Sequence, residues 1–245
     1  MKKLFWAEWQ KLRRSNVVFM TIFAAVMIAG IVFIGGQTQD FGGMYMSDPG
    51  GYMTMTQSWA TLFAIPAVIA LMGSYMICRE VQDDTLKSLK LIPVSEKKLT
   101  AVKLCVMLIF SIMIYMLLFV ITFFTEAVIH FGDLSVKMVW DFGKTYVLEG
   151  IGTFLAVSPI VAIISYTKKS YWLALVLAEI YSFTGIFMSM SNTLRTIYPI
   201  SAVLGACGYY ETTIRNRIAS GIVLILCGCF SVFILIWLDG KHSTD

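Results

Sequence analysis

The run VVFMTIFAAVMIAGIVFIGG, Val17–Gly36, is twenty residues long and carries no charge. At 1.5 Å per residue a helix of that length covers about 30 Å, the thickness of a bilayer's hydrocarbon core. Five further runs are long enough to cross: Tyr52–Cys78, Leu104–Thr125, Tyr146–Thr167, Ser170–Leu194 and Ile218–Leu238. Only the fourth and fifth of the six contain a charged side chain, Glu149 and Glu179 respectively. In lipid every backbone polar group must be paired within the protein, so isolated spans are helices. The runs lack the two-residue alternation of barrel strands. The predicted fold is therefore all-α: a polytopic membrane protein of six transmembrane helices, forming a single transmembrane domain over residues 1–245.

Composition agrees. Hydrophobic residues make up 58% of the chain and charged residues 14%, with a mean hydropathy of +0.77. A water-facing domain carries roughly a quarter charged residues, so lipid is the solvent for most of this chain. The first run lacks a small-residue cleavage site before the polar Gly36–Asp40 stretch and is expected to be retained rather than removed. Cys78, Cys105, Cys207, Cys227 and Cys229 are scattered and form no disulfide pattern. Cys227 and Cys229 are two residues apart, so on a helix they point about 200° apart and read as packing residues rather than a metal pair.

Orientation follows from the basic residues. Fourteen of the nineteen Lys and Arg fall on the side shared by the two ends, in residues 2–14, 79–103 and 168–169 and at Lys241. Excess positive charge marks cytoplasmic loops. Both termini and the 79–103 loop are thus expected in the cytoplasm, with the chain multi-pass in the cell membrane.

Residues 1–16 are too polar to span. Leu4, Phe5, Trp9 and Leu12 share a face at helical spacing, and Lys2, Lys3, Lys11, Arg13 and Arg14 supply positive charge. This is the pattern of an amphipathic interfacial helix on an anionic leaflet. Glu8 falls within the apolar face, where it would pair with Lys11 or be buried against protein. On the other side, residues 191–217 hold an apolar stretch, Ile197–Tyr209, too short to cross, predicted as a re-entrant or interfacial hairpin. Pro66 and Pro159 sit inside spans and are expected to kink them. Glu126 ends the third span and reads as an interfacial carboxylate.

No residues form an engine. The sequence has no G-x-x-x-x-G-K-[ST] loop, no G-x-G-x-x-G and no H-E-x-x-H, and its only histidines are His130 and His242. No catalytic, cofactor or metal site is expected on this chain, and no nucleic acid among its partners. What remains is the charged loop between the second and third spans, REVQDDTLKSLKLIPVSEKKLTAVK, Arg79–Lys103. Its acidic residues come early. Leu86, Leu89 and Leu91 form a short apolar stripe, Pro93 stops that helix, and Ser95 is placed to cap the next.

This loop resembles the one between the second and third spans of type-two ABC exporter permeases. Arg79-Glu80, Thr85, Leu86, Leu89, Pro93 and Lys103 match their Arg-Glu, Gly-Thr, leucine-pair, proline and basic-start pattern. Asp84 stands where those permeases have glycine. The opening Glu8-Trp9-Gln10-Lys11-Leu12-Arg13-Arg14-Ser15 is similar to that of bacitracin and lantibiotic-immunity permeases, whose size and six-span layout match the whole chain. The resemblance implies one half of a transmembrane dimer, with an identical or related second permease. Each half would dock on a separate ABC ATPase subunit that holds ATP and Mg. Contact would run through the N-terminal helix (Glu8, Lys11) and through Arg79, Glu80, Asp83, Asp84, Thr85, Leu86 and Leu89. An antimicrobial peptide of the lantibiotic or bacitracin type is the implied cargo. A drug, sodium or another small solute is the alternative within this class, and an ATP-independent transporter or scaffold is the alternative outside it. An ionised group at mid-bilayer costs about 3 kcal/mol on insertion scales. Glu179 and Glu149 therefore read either as substrate or gating groups or as carboxyls hydrogen-bonded to a neighbouring helix.

Overall fold

The computed structural model describes residues 2–13, 15–37, 43–82, 96–167 and 171–242. Every regular element among them is helical. Helix α1 (Lys2–Arg13) precedes α2 (Asn16–Gln37). The second span is built from α3 (Gly51–Trp59), a π turn (Ala60–Ala64) and α4 (Ile65–Gln82). Then come α5 (Glu96–Ile129), α6 (Val136–Thr167) and α7 (Trp172–Ser189). Two short helices, α8 (Leu194–Ile197) and α9 (Pro199–Cys207), precede α10 (Ile214–His242). Among the described residues six helices are long and apolar enough to cross a membrane. Their bounds differ from the apolar runs mainly where polar ends extend a helix beyond the hydrocarbon, as in α5, which runs from Glu96 rather than Leu104.

The second and fourth spans form the interior, with 72% and 61% of their apolar windows buried, against 22% for the fifth and the sixth. Helix α6 is the hub and touches α4, α5, α7, α9 and α10. It approaches α5 closely at Gly150, where an added Cβ would sit 3.0 Å from the Ile112 Cα. The close approach lets Ser111 Oγ donate to the Gly150 carbonyl at 2.6 Å. Small residues at helix contacts are the usual solution where apolar side chains gain nothing by leaving lipid.

Each proline in a span has a matching serine. Pro66 has no N–H for the carbonyl four residues back, Leu62, or, in the wider π turn, five back, Thr61. Ser182 of α7 places its Oγ 2.9 Å from the Leu62 oxygen and 3.4 Å from the Thr61 oxygen. Pro159 likewise deprives the Leu155 carbonyl, and Ser158 Oγ donates to it at 2.9 Å. The two sites differ in outcome. At Pro66 the backbone carries a π turn just upstream, whereas α6 runs through Pro159 as one α-helix.

Glu126 departs from its reading as an interfacial carboxylate. It is fully buried, and its Oε1 accepts the Gly50 N–H at 2.7 Å, with His130 Nδ1 at 2.8 Å. Gly50 is the N-cap of α3 with φ +85°, a conformation glycine adopts without strain. Its own cap is a carboxylate from the next span, so the start of the second span is pinned to the end of the third.

The serine match can be tested by a double-mutant cycle. Ser182→Ala should destabilise the detergent-solubilised protein by about 1 kcal/mol, the cost of orphaning a buried carbonyl. In a Pro66→Ala background, which restores an amide donor, that cost should shrink. Equal losses of thermal stability in both backgrounds would show that Ser182 does not answer Pro66.

Candidate functional site

At the end of the bundle that carries the termini, three elements meet. Helix α1 does not present its whole apolar face outward. Leu12 and Glu8 are buried, while Leu4, Phe5 and Trp9 pack against the core and Trp6 alone of the larger apolar side chains points away. The Glu8 carboxylate is only 3% exposed, and its Oε1 lies 2.7 Å from Lys11 Nζ. Both readings offered for Glu8 thus hold together: it is paired with Lys11 and buried against protein. The face leans on α5, across a cleft of about 310 Å³ lined by Lys2, Phe5, Ala101, Val102 and Cys105. Arg79 and Glu80 lie in the last turn of α4. Asp83, Asp84, Thr85, Leu86 and Leu89 fall outside the described residues, as do Pro93 and Ser95; α5 begins at Glu96, directly after Ser95.

The spans enclose a polar column. Tyr115 Oη sits 2.8 Å from Thr61 Oγ1 and 2.8 Å from Thr153 Oγ1, joining the second, third and fourth spans through three hydroxyls. Tyr146 Oη donates to the Met53 carbonyl at 3.1 Å and lies 3.0 Å from Thr122 Oγ1. Tyr52 Oη donates to the Ala29 carbonyl at 2.9 Å. All these groups are buried. Sequence reading missed the column because a tyrosine or threonine inside an apolar run does not reveal its partner, which lies on another helix.

Glu149 sits one helical turn before Thr153 and is fully buried, yet neither carboxylate oxygen has a hydrogen-bond partner among the described residues. The hydrogen bond to a neighbouring Ser or Thr considered for it is not made. The hydroxyls one turn away along the helix are engaged elsewhere: Thr153 with Tyr115, Thr145 with the Asp141 carbonyl, and Tyr146 with Thr122 and the Met53 carbonyl. Glu179 lies mid-way along α7 and is half-buried, and no hydrogen bond or ion pair engages it among the described residues. Its helix runs beside an aromatic seam in which Trp59 stacks on Phe63 at 4.9 Å and Phe63 meets Phe183 at 6.3 Å.

At the opposite end, α9 is buried from Ile200 to Gly205. Arg217 of α10 closes it, donating through Nε to the Ala206 carbonyl at 2.8 Å and through Nη2 to Cys207 at 3.3 Å. Such a cation answers the carbonyls left over at a helix C-terminus. Arg195 stacks over the Tyr210 ring at 4.8 Å. Burial pushes the Tyr210 phenol above its ordinary pKa, with the Ser189 hydroxyl and, less strongly, Arg195 pulling the other way. Between α5 and α6 an apolar cleft of about 990 Å³ opens beside Phe119, Phe123, Phe131, Trp140 and Lys144.

A six-span bundle with a basic, partly buried N-terminal helix matches known proteins along most of its length. Residues 4–185 match the model of the ABC-2 family transporter proteins. The chain belongs to the ABC-2 transporter family. It is also similar to the Bacitracin transport permease protein BCRB of Bacillus licheniformis, with 30% identity over 142 residues, 58% of this chain and 67% of that protein. Membership makes this ABC-2 protein a transmembrane component rather than an ATPase, and implies association with an ABC ATPase subunit. The matched region covers α1, the residues 79–103 and both membrane carboxyls.

A buried carboxyl with no partner among the described residues carries the cost of an unmade hydrogen bond. Glu149→Leu, close in volume and needing no partner, should therefore raise thermal stability by about 1–3 kcal/mol. Thermal unfolding in detergent, followed by aggregation or intrinsic fluorescence, checks it. A loss of stability would mean that the carboxyl has a partner in the folded protein.

Proposed function

We propose that this chain is the membrane-spanning half of an ATP-driven exporter that removes bacitracin-type or lantibiotic peptides from the membrane. The observation that carries the reading is the combined match to the ABC-2 family and to a bacitracin transport permease. In this reading the termini face the cytoplasm, as the distribution of Lys and Arg favours. Two permease halves, identical or related, pair in the membrane. An ATPase subunit, which alone holds ATP and Mg, grips each half through α1 (Glu8, Lys11) and the Glu80–Leu91 segment with the Arg79 before it, where Arg79, Glu80, Asp83, Asp84, Thr85, Leu86 and Leu89 supply the contacts.

Closure of the paired ATPases then pushes on that segment, the spans rearrange, and the peptide leaves outward from a groove at the dimer interface. An amphiphilic peptide enters sideways from lipid. The buried hydroxyls of the bundle favour this route, because they bond to one another and to backbone carbonyls rather than line an open path. Glu179 is the group we assign to a cationic site on the peptide, since it is half-exposed on its span and without a partner among the described residues. Glu149, enclosed and without a partner among the described residues, is assigned to gating.

Affinity purification of the tagged chain in mild detergent should bring down an ABC ATPase. Glu80→Ala with Asp84→Ala should lower bacitracin resistance on the order of tenfold, as expected from losing a contact of about 1.4 kcal/mol, while the chain stays in the membrane. Glu179→Gln should lower resistance without releasing the ATPase. Purification of the wild-type chain with no ATPase attached would overturn the reading. So would labelling of a single cysteine placed in the 83–95 segment by an impermeant reagent added outside intact cells.

A further inference from the structure

A push on the segment between the second and third spans moves the bundle only if its two roots are held together. Otherwise the chain bends where it enters. The described roots are Gln82, which ends α4, and Glu96, which begins α5. Seven residues into α5, Lys103 is only 7% exposed, and its Nζ donates to the Met76 carbonyl at 3.0 Å, six residues before the end of α4. Met76, Cys78, Val102 and Val106 are all buried on the same two helices.

A lysine is almost never buried without paired groups, because its ammonium loses its hydration. A topogenic lysine needs only to reach water, and at 7% exposure Lys103 does not serve that purpose. An apolar side chain would pack there without the penalty. A charge-assisted bond to a carbonyl is short and directional, which suits a fastening between two helices. The same stretch of α5 also receives α1, since Ala101, Val102 and Cys105 face Lys2 and Phe5 across their shared cleft.

We propose that Lys103 is a positioning residue that fastens the end of the second span to the start of the third, so that force from the ATPase moves α4 and α5 as one lever. The inference rests on the exporter reading above. It adds that α1 and the end of α4, from which the 80–91 segment assigned to ATPase contact departs, meet the start of α5 at one crossing held by Lys103. A severed crossing leaves the ATPase bound and turning over while its work no longer reaches the spans.

The test uses the full chain with its ATPase subunit, reconstituted in liposomes, with bacitracin as probe. Three quantities are read: ATPase retained per permease, basal ATP hydrolysis, and bacitracin moved per ATP consumed. Lys103→Met should keep the first two within about twofold of wild type while the third falls on the order of tenfold, and Lys103→Arg should restore most of it. Lys103→Gln, which keeps a donor without the charge, should fall between. Three results would overturn the inference alone: an unchanged transport ratio in Lys103→Met, loss of the ATPase together with transport, or absence of both Lys103→Met and Lys103→Gln from the membrane. A wild-type chain that retains no ATPase removes the exporter reading and this inference together.

Discussion

Inside lipid no water is available to pair a backbone carbonyl or amide, and this constraint organises the molecule. Helices answer it for most residues. The exceptions are answered individually by side chains. Ser182 reaches from α7 to the carbonyls that Pro66 leaves open, and Ser158 does the same beside Pro159. Glu126 caps the start of α3, and Arg217 closes the end of α9. Three of these four bonds are long-range in sequence or join separate helices, so the pairing that completes a helix also sets its neighbour. Backbone satisfaction and tertiary packing are here largely the same interaction.

The tyrosines extend the logic from single carbonyls to the packing of spans. Tyr45, Tyr52, Tyr146 and Tyr198 each donate to a carbonyl elsewhere in the chain, at Val32, Ala29, Met53 and Tyr181. Each phenol combines a large apolar body with one polar handle, which suits it to cross from one helix to another without leaving a buried hydroxyl unpaired. Tyr115 goes further by linking two threonines on different spans. Glu149 and Glu179 differ from these tyrosines as carboxyls for which the described residues provide no partner, as they provide none for the buried Gln57 Nε2 and Ser74 Oγ.

Much of the architecture was legible in the sequence because it depends on local, additive properties. Twenty consecutive apolar residues such as Val17–Gly36 suffice to call a span, whatever surrounds them. The six spans follow from that alone, and the N-terminal helix from the spacing of Leu4, Phe5, Trp9 and Leu12 among basic residues. Glu126 was not legible, because an acidic residue at the end of an apolar run looks the same whether it faces headgroups or the Gly50 amide. The role of Ser182 was equally hidden: it lies 116 residues from Pro66 in the chain, and nothing local to α7 reports a missing donor in the second span. For Glu149 the sequence showed the cost of a carboxyl in a span but not whether Thr153 was free to relieve it. Charged positions in this chain were easy to find and hard to interpret, since a charge acquires meaning only from what faces it.

The distribution of polar groups bears on how such a bundle moves cargo. A water-filled path needs polar groups left open to solvent, whereas Thr61, Tyr115, Thr153 and Tyr146 are buried and mutually engaged. The inner spans of one chain therefore behave as a rigid body bonded through its centre, and large rearrangement is cheaper at its periphery. Two features are suited to move: α7 at that periphery, which rests on the bundle through small buried positions at Ala174, Ala178, Ser182 and Gly185, and, where α7 meets the buried second span, the π turn before Pro66, where the helical ladder is already interrupted. Both meet at the Ser182–Leu62 bond, and Glu179 lies less than one turn away along α7. A carboxyl beside a weakened ladder and a smooth helix face is better placed to respond to a ligand than one locked in the bonded core. That physical difference is why the half-exposed Glu179, rather than the enclosed Glu149, is the carboxyl assigned to cargo.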